Sequence, residues 1–382
     1  MSDIFNPLID DTHRAVRDNA RRFAEREIAP WATEWEEEGI FPRELYGKAV
    51  AAGILGLGFP ESVGGLGGGA MHLLMSIEGL MRGGSTGVTV GLGSMGIALP
   101  PIVNSGDQSL IDRFVRPTLR GELIAALAIT EPGTGSDVAG VRTRAVRDGD
   151  DYVINGSKIF ITSGVRADIL VTLARTGDDP HGGLSFFVIE KSMPGVSVSR
   201  ALRKTGWWAS DTAELAFEDV RVPVANRIGP EGGGFYALMQ NFQMERVALA
   251  GYGYATAHIA WEEAVRYSRE RQAFGRAIGS FQVTRHKLAD MATRVMTARS
   301  LTYQVAAAID AGGMPITEVS MAKNVAADVA VSVTYDAVQV FGGMGYMRET
   351  LVERLSRDAR LLPIGGGTQE IMKEIIARNL GL

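Results

Sequence analysis

Small and hydroxyl-bearing residues follow a short apolar run in the first half of the chain. The run from Leu123 to Ile129 has the character of a buried strand, and it leads into Thr130-Glu131-Pro132-Gly133-Thr134-Gly135-Ser136-Asp137. Glycine lets a backbone approach a flat or phosphorylated ligand closely, and threonine and serine hydroxyls can hydrogen-bond the polar edge of a heterocycle. The segment therefore predicts a loop that presents N–H and O–H groups to a cofactor, with an ordinary turn between strands as the alternative.

A second glycine-rich pattern lies near the C-terminus. It consists of Gln339-Val340-Phe341-Gly342-Gly343-Met344-Gly345-Tyr346, followed at set intervals by Glu349, Arg354 and Asp358. Together the two segments resemble the two signatures of the acyl-CoA dehydrogenase flavoproteins. The resemblance runs from about residue 10 to the C-terminus, and the chain looks most like the long-chain and isovaleryl-type members.

The resemblance implies an FAD-dependent enzyme that removes two hydrogens across the Cα–Cβ bond of an acyl-CoA thioester. This reaction needs a base for the α-proton, donors for the charge that develops on the thioester oxygen, and a flavin that accepts hydride. In many relatives the base is the glutamate of a Tyr-Glu-Gly-Thr loop, but the matching stretch here is Ile364-Gly365-Gly366-Gly367-Thr368. Gly366 occupies the base position and cannot abstract a proton, so the base lies elsewhere or the activity is lost.

The long-chain and isovaleryl-type relatives place their base on a helix, directly before an arginine. The segment Phe242-Gln243-Met244-Glu245-Arg246-Val247-Ala248-Leu249-Ala250 matches this pattern and makes Glu245 the expected catalytic base. Its apolar neighbours favour burial, which raises the pKa of a carboxyl toward neutrality. A solvated helical glutamate is the alternative. Gly366 keeps its backbone N–H, which in the family bonds the thioester oxygen together with a ribityl hydroxyl of the flavin.

The same comparison, made position by position, implies the flavin contacts. Phe160 stands where many members have tryptophan, and Arg271 is suited to a phosphate. The alternative for Arg271 is a surface ion pair with Glu263 or Glu270. The matching residues are Ile129, Thr130, Gly135, Ser136, Phe160 and Thr162 around the isoalloxazine; Arg271, Phe274, Gln282, Gln339 and Gly343 at the diphosphate and adenine of a neighbouring subunit; and Thr368 and Glu370 after the glycine loop.

Substrate contacts are expected at Ser136 and Arg246, and in a pocket lined by Val90, Gly93, Ile97 and Gly365. The two glycines replace bulkier residues of shorter-chain relatives, which predicts a roomy pocket for long or branched acyl groups. The alternative is that they only allow close helix packing. Each buried methylene contributes about 0.8 kcal/mol, so the chain-length preference should be broad.

Hydrophobic periodicity divides the chain into three parts, and the predicted fold class is α+β with several domains. The expected domains are an N-terminal α-helical domain (1–121), a middle β-sheet domain resembling a barrel (122–233) and a C-terminal four-helix bundle (234–382). This order of helical, sheet and helical parts is also the family's arrangement.

Several local patterns carry structural expectations of their own. Asp148-Gly149-Asp150 and Asn155-Gly156 are interpreted as hairpin turns. The uncharged run between Arg82 and Asp107 is interpreted as a helix buried in protein rather than a membrane span. Trp207-Trp208 is expected to pack beneath the sheet, with the lining of a cofactor site as the alternative.

Composition argues against several other classes of protein. The chain of 382 residues is 46% apolar and carries a net charge of −5, which gives no electrostatic footprint for nucleic acid. It has no cysteine, which fits a cytoplasmic protein, and its five histidines lack metal-ligand spacing, so no metal is expected. Gly91-Leu92-Gly93-Ser94-Met95-Gly96 matches a dinucleotide-binding pattern, but helical sequence flanks it, so a nicotinamide site is rejected.

The resemblance also implies partners. An acyl-CoA is the substrate, and an electron-transferring flavoprotein is the expected electron acceptor. Cofactor contacts from a neighbouring subunit require at least a dimer, and a homotetramer is the family norm. Two alternatives stay open. One is a flavin-dependent acyl-CoA oxidase. The other is an inactive relative that binds flavin or CoA, which is considered because position 366 is a glycine.

Overall fold

The computed structural model describes residues 7–382, so residues 1–6 of the expected N-terminal domain lie outside the described part. Helices form the N-terminal part of the chain. Asp10 caps the first helix by accepting a hydrogen bond from the backbone N–H of His13, and Ser85 caps a later one through Val88. The helices are α1 (Asp11–Glu27), α2 (Ala32–Glu38), α3 (Glu44–Ala51), α4 (Ala70–Leu80), α5 (Thr86–Leu92), α6 (Met95–Ala98), α7 (Pro100–Ser105), α8 (Gln108–Leu110) and α9 (Arg116–Leu119).

The uncharged run between Arg82 and Asp107 forms several short helices, so the expectation of one helix is wrong. The chain turns through Gly93 and Ser94 between α5 and α6, and most of the run is buried. Within residues 7–382 no single helix has the length and apolarity to cross a bilayer. The pair formed by α5 and Met95–Ser105, bent by 43°, meets that test only jointly and only by length and composition.

The middle of the chain forms an eight-stranded sheet. Its strands are β1 (Ala125–Ala128), β2 (Arg144–Asp148), β3 (Asp151–Thr162), β4 (Ile169–Arg175), β5 (Leu184–Glu190), β6 (Val196–Ala201), β7 (Thr212–Pro223) and β8 (Arg227–Ile228). Their order is β6-β7-β3-β2-β4-β5-β8, and β1 pairs with β4 in parallel. The buried faces of β4 and β5 consist almost wholly of apolar side chains, which places one core cluster between this sheet and the N-terminal helices.

The turn at Gly149 joins β2 to β3, as expected, between the paired residues Asp148 and Asp151. Asn155-Gly156 instead lies inside β3, so the hairpin predicted there is wrong. The register of β3 against β7 shifts at Gly156, as in a β-bulge. Gly156 has φ +149°, and a Cβ there would lie 2.6 Å from the hydroxyl oxygen of Thr143.

Long helices form the C-terminal part of the chain, with the two-stranded hairpin β9 (Gln272–Ala273) and β10 (Arg276–Ala277) between the first two. They are α10 (Gly234–Glu270), α11 (Gln282–Asp310), α12 (Ile316–Phe341), α13 (Leu351–Ala359) and α14 (Gln369–Asn379). Gly253 of α10 lies against α12, where an added Cβ would be 2.8 Å from the carbonyl oxygen of Ala326. This close approach packs α10 and α12 together and positions the residues of the site described below.

Trp207 and Trp208 do not pack beneath the sheet as expected. Trp207 belongs to the same buried cluster as Leu249 of α10, and its backbone N–H donates to Asp358 Oδ1 of α13 at 2.6 Å. The guanidinium of Arg357 lies 3.6 Å from the centre of a Trp208 ring. The pair therefore joins the loop before β7 to the C-terminal helices.

Candidate active site

Glu245 lies in α10 at the point where this helix faces the glycine loop before α14. A Cβ built on Gly366 would lie 3.5 Å from Glu245 Oε1. Glu245 Oε2 is buried and has no hydrogen-bond partner among residues 7–382. An unpaired buried carboxyl oxygen is unfavourable, which is typical of a group kept for function. The alternative of a solvated helical glutamate is therefore wrong.

A side chain at position 366 would require Leu249 to move and would strain the backbone. Gly366 has φ +64°, and a Cβ there would lie 2.3 Å from Leu249 Cδ1. Leu249 and Glu245 are one helical turn apart on α10, so this helix fills the space that a side chain at position 366 would need. Within residues 7–382 the backbone N–H of Gly366 donates to no other group.

Two buried cations bind the carbonyl groups of the glycine loop. Arg246 Nε donates to the carbonyl oxygen of Gly366 at 3.3 Å, and Lys323 Nζ of α12 donates to that of Gly367 at 2.7 Å. Arg246 and Lys323 are 5% and 1% exposed. Gly366 and Gly367 both have positive φ, which glycine adopts readily, and the two cations hold this loop against α10 and α12.

Burial raises the pKa of Glu245 to about 7, while the positive charges of Arg246 and Lys323 oppose that rise. Burial likewise lowers the pKa of Lys323 to about 8, and Arg246 lowers it further. The site therefore holds a carboxyl that titrates near neutral pH beside two cations. A carboxyl with such a pKa is suited to accept a proton from a weak carbon acid.

Apolar side chains extend from this carboxyl toward α5. Val90, Tyr252, Leu249 and Trp207 belong to one cluster with residues of α12 and α13. Asn241 Nδ2 of α10 donates to the carbonyl oxygen of Ile97 at 2.8 Å, which ties α6 to the same face of α10.

The two glycines expected to widen the pocket differ from each other. A Cβ on Gly93 would lie 3.1 Å from the Tyr252 hydroxyl oxygen, so close packing explains that glycine. A Cβ on Gly365 would meet nothing nearer than Leu361, at 3.8 Å. Gly365 therefore leaves room for a larger side chain, and the volume argument applies at that position alone.

The loop after β1 lies beside β3. Ile159 N–H donates to the carbonyl oxygen of Thr130 at 2.8 Å, and Lys158 Nζ donates to that of Ile129 at 2.9 Å. Lys158 is fully buried and also pairs with Glu131 at 2.9 Å, and this carboxylate further accepts the backbone N–H groups of residues 142 and 143. The structure thus brings the first cofactor segment and the strand containing Phe160 and Thr162 together.

The loop after β1 and the end of β3 both expose residues that are expected to contact the flavin. Gly135 and Ser136 are exposed, and a Cβ on Gly135 would meet nothing within 4 Å. Phe160 has φ +62° and a side chain that is 65% exposed. An exposed phenyl ring on a strained backbone is typical of a position that a ligand covers.

A second group of expected cofactor residues lies near the C-terminal ends of α10 and α12. Phe274 is 95% exposed at φ +51°, in the hairpin that follows α10. Tyr267 of α10 stacks on Phe341 of α12 at 4.1 Å and so brings the ends of these helices together. Members of this group lie in or beside the hairpin (Arg271, Phe274, Gln282) or at the end of α12 and just after it (Gln339, Gly343).

Arg271 does not form the ion pair considered as its alternative role. Glu263 and Glu270 both pair with Arg266, at 2.6 Å and 3.0 Å. Among residues 7–382 the guanidinium of Arg271 has no hydrogen bond or ion pair, and the residue is exposed. A free, exposed guanidinium is chemically suited to a diphosphate.

The donor groups present fit the expected FAD. The loop after β1 and the end of β3 offer small residues, hydroxyls and an exposed phenyl ring to a planar heterocycle. The hairpin after α10 offers an exposed guanidinium and an exposed phenyl ring. Within residues 7–382 no hydrogen bond, ion pair or ring contact joins the two groups. Thr368 caps α14 by accepting the Ile371 N–H at 3.4 Å, with Glu370 exposed in its first turn.

Sequence reasoning missed Lys323, Tyr252 and the pair of Lys158 with Glu131. A signal existed for Lys323, because it is a lone cation among the small and apolar residues 319–330 of a long helix. Tyr252 carried no such signal, since an aromatic residue in an apolar helix usually belongs to the core.

Known proteins resemble this chain along almost its whole length. Models of the acyl-CoA dehydrogenase N-terminal, middle and C-terminal domains match residues 10–122, 126–220 and 232–381. The long-chain specific acyl-CoA dehydrogenase of Sus scrofa is 39% identical over 98% of this chain and 87% of its own length. The short-chain specific acyl-CoA dehydrogenase of Clostridium acetobutylicum is 40% identical, over 95% of this chain and 96% of its own length.

Among solved structures, a probable acyl-CoA dehydrogenase from Mycobacterium abscessus superposes with a TM-score of 0.96 at 52% identity, covering 98% of this chain and 100% of that one. Matches of this extent cover all three parts of the fold. The chain therefore belongs to the acyl-CoA dehydrogenase family, whose members are FAD enzymes that act on the CH–CH bond of acyl-CoA.

Proposed function

We propose that this chain dehydrogenates acyl-CoA thioesters to trans-2-enoyl-CoA, with Glu245 as the base that removes the α-proton. The observation that supports the proposal is the position of the Glu245 carboxylate, 3.5 Å from where a Cβ on Gly366 would lie. The Glu245 carboxylate on the helix therefore lies next to the place where a side chain of the loop residue 366 would begin. The carboxyl can serve there although the loop itself has none.

The chain's own residues handle the proton and the thioester. Bound FAD supplies the acceptor for the hydride that leaves Cβ. Glu245, with its pKa raised to about 7, is ionised in a usable fraction near neutral pH and still basic enough to take the α-proton. The free N–H of Gly366 donates to the thioester oxygen and stabilises the charge that develops there.

We propose that the acyl group lies along Val90, Leu249 and Tyr252, with Ile97, Arg246 and Ser136 contributing to substrate binding. The open space at Gly365 supports a long or branched acyl group. Similarity to relatives does not select the chain length, since long-chain and short-chain enzymes match this chain equally well.

The remaining expectations are proposals of the same kind. An electron-transferring flavoprotein is the proposed electron acceptor, and a homotetramer, at least a dimer, is the proposed assembly. The domain limits 1–121, 122–233 and 234–382 are retained. A cytoplasmic location stays a prediction from the cysteine-free composition.

Glu245→Gln tests the base directly. The amide keeps the shape of the side chain but cannot accept the α-proton, so anaerobic flavin reduction by an acyl-CoA should slow by about 10²- to 10⁴-fold. Stopped-flow loss of the visible flavin band measures this rate. Glu263→Gln is the matched control, because Glu263 lies on the same helix and pairs only with Arg266 in the described part of the chain.

The same assay separates the alternatives. Near-wild-type reduction in Glu245→Gln would remove Glu245 from the mechanism. Admitting oxygen after reduction distinguishes a dehydrogenase from an oxidase, which would form peroxide rapidly, and no bleaching by any thioester would indicate an inactive binder. Faster reduction by butyryl-CoA than by C12 or branched thioesters would contradict the proposed chain length.

A further inference from the structure

We propose that Lys323 is a positioning residue for this reaction: its charged amine anchors the glycine loop and helps keep Glu245 ionised. The inference rests on the proposed role of Glu245 as the base. Lys323 would act through Gly367 and Glu245 rather than by touching the reacting atoms.

The burial of Lys323 calls for an explanation beyond packing. The residue is 1% exposed in α12, beside buried Ala322 and Ala326. Burying an ammonium group is unfavourable unless partners compensate for the lost water. Its amine donates a hydrogen bond to the carbonyl oxygen of Gly367, at 2.7 Å. A methionine or leucine would fill the same space without that penalty, so the charge itself has a role.

The two glycines of the anchored loop have no side chains that could hold them in place. Gly366 and Gly367 have φ of +64° and +94°. Lys323 binds one carbonyl of this pair and Arg246 binds the other, while Asn324, next to Lys323, donates to the carbonyl oxygen of Gln369 at 3.2 Å. Helix α12 thus holds the end of the loop next to α14, directly after the Gly366 N–H.

The charged groups that act on Lys323 come from α10, from the start of α14 and from α12 itself. Glu245 and Arg246 face it from α10, Glu370 from the start of α14, and Asp328 lies on α12 itself. Glu245 in turn faces Arg246 and Lys323. Of these two cations, Lys323 is the one from another helix, so its position relative to Glu245 depends on how α10 packs on α12.

Lys323→Met tests the proposal, because it removes the charge and keeps the length of the side chain. Without this cation the pKa of Glu245 rises, so the acid limb of the pH profile of kcat/KM should move upward by roughly one pH unit. The loosened loop should also lower kcat on the plateau by about tenfold, since misplaced donors weaken transition-state stabilisation. Steady-state profiles of kcat and kcat/KM between pH 6 and 9, with an artificial electron acceptor, measure both effects.

Lys323→Arg and Lys287→Met complete the design. The arginine variant keeps the charge, so its acid limb should stay within about 0.3 pH units of wild type even if kcat falls. Lys287 lies on α11 and pairs with Asp336 at 2.7 Å, so its loss removes the same charge away from the site and should leave the profile unchanged. The flavin spectrum and the Tm show whether each variant is folded.

An unmoved acid limb in Lys323→Met, with only a lower Tm, would overturn the proposal and leave Lys323 with a structural role. If Lys323→Met does not fold, a shifted limb in Lys323→Arg overturns it instead. These results are distinct from failure of the base assignment, which would appear as activity in Glu245→Gln.

Discussion

At the scale of single residues, the carboxylate of this site comes from helix α10 rather than from the loop at position 366. Glu245 extends from α10 toward the place where a side chain on Gly366 would begin. Leu249, one turn later, occupies the space that such a side chain would need. The glycine therefore leaves that space to side chains of α10.

The raised pKa of Glu245 also affects stability. Its value is about 7 in the folded protein against an ordinary 4.5, so the folded state binds this proton more tightly than the unfolded chain. The stability that this proton contributes is complete below pH 4.5 and is lost as the pH rises through 7. Glu245→Gln should therefore raise the free energy of unfolding at pH 8 by about 1–3 kcal/mol, although it slows the reaction.

Thermal unfolding across this pH range checks the prediction. The difference in Tm between Glu245→Gln and wild type should be largest at pH 8 and shrink as the pH falls toward 5. Glu263→Gln should show no such trend. A constant or opposite trend for Glu245→Gln would mean that the carboxyl is not held in a desolvated site.

At the scale of elements, β3 shows why a turn-like dipeptide does not always make a turn. Asn155-Gly156 has turn chemistry, yet β3 continues through it to Thr162 and carries Phe160 to the cofactor loop. The glycine is needed because the strand bulges against Thr143. A break at this point would have ended the strand before it reached the site.

Gly156→Ala should accordingly destabilise the protein by about 1–3 kcal/mol, because φ of +149° and the contact with Thr143 both exclude a methyl group. It should also weaken FAD retention, since the end of β3 shifts with the bulge. Chemical denaturation and the flavin-to-protein absorbance ratio measure the two effects.

Gly47→Ala is the control for a glycine that structure does not require. Gly47 is exposed within α3, and a Cβ there meets nothing within 4 Å. Alanine should stabilise this helix by about 0.4–1 kcal/mol. Equal responses of the two variants would argue against a bulge in β3.

At the scale of the whole molecule, the expected cofactor residues fall into two separate groups. One surrounds the loop after β1, and the other lies at the ends of α10 and α12, where Phe274 is almost fully exposed and Arg271 has no partner among residues 7–382. Such a division is what a site shared between subunits requires. The second group would then serve the cofactor of a neighbouring copy.

Arg271→Ala should therefore affect cofactor and assembly together. Loss of a charge-assisted contact to a diphosphate corresponds to roughly 10- to 100-fold weaker FAD binding. Light scattering on the flavin-free and flavin-loaded protein would show whether FAD promotes association in wild type and fails to do so in the variant. Arg269→Ala, two residues earlier and also exposed, should behave as wild type. Identical behaviour of the two variants would place the diphosphate elsewhere.

The sequence alone determined the elements and the family. Apolar periodicity distinguished the helical parts of the chain from the middle sheet, and glycine-rich motifs identified the flavoprotein signatures. These features are local, because periodicity and turn chemistry act over a few neighbouring residues. Where turn chemistry conflicted with strand pairing, as at Asn155-Gly156, the local pattern was misleading.

Only the tertiary structure decided which distant groups meet. Arg246 reaches a carbonyl 120 residues away and Lys323 one 44 residues away, and no local pattern encodes either distance. Likewise, Gly93 is explained by Tyr252 on another helix, and Trp207 packs with α10 rather than with the sheet. Contacts of this kind depend on how whole helices pack, because close packing selects partners by shape across the interior rather than by sequence separation.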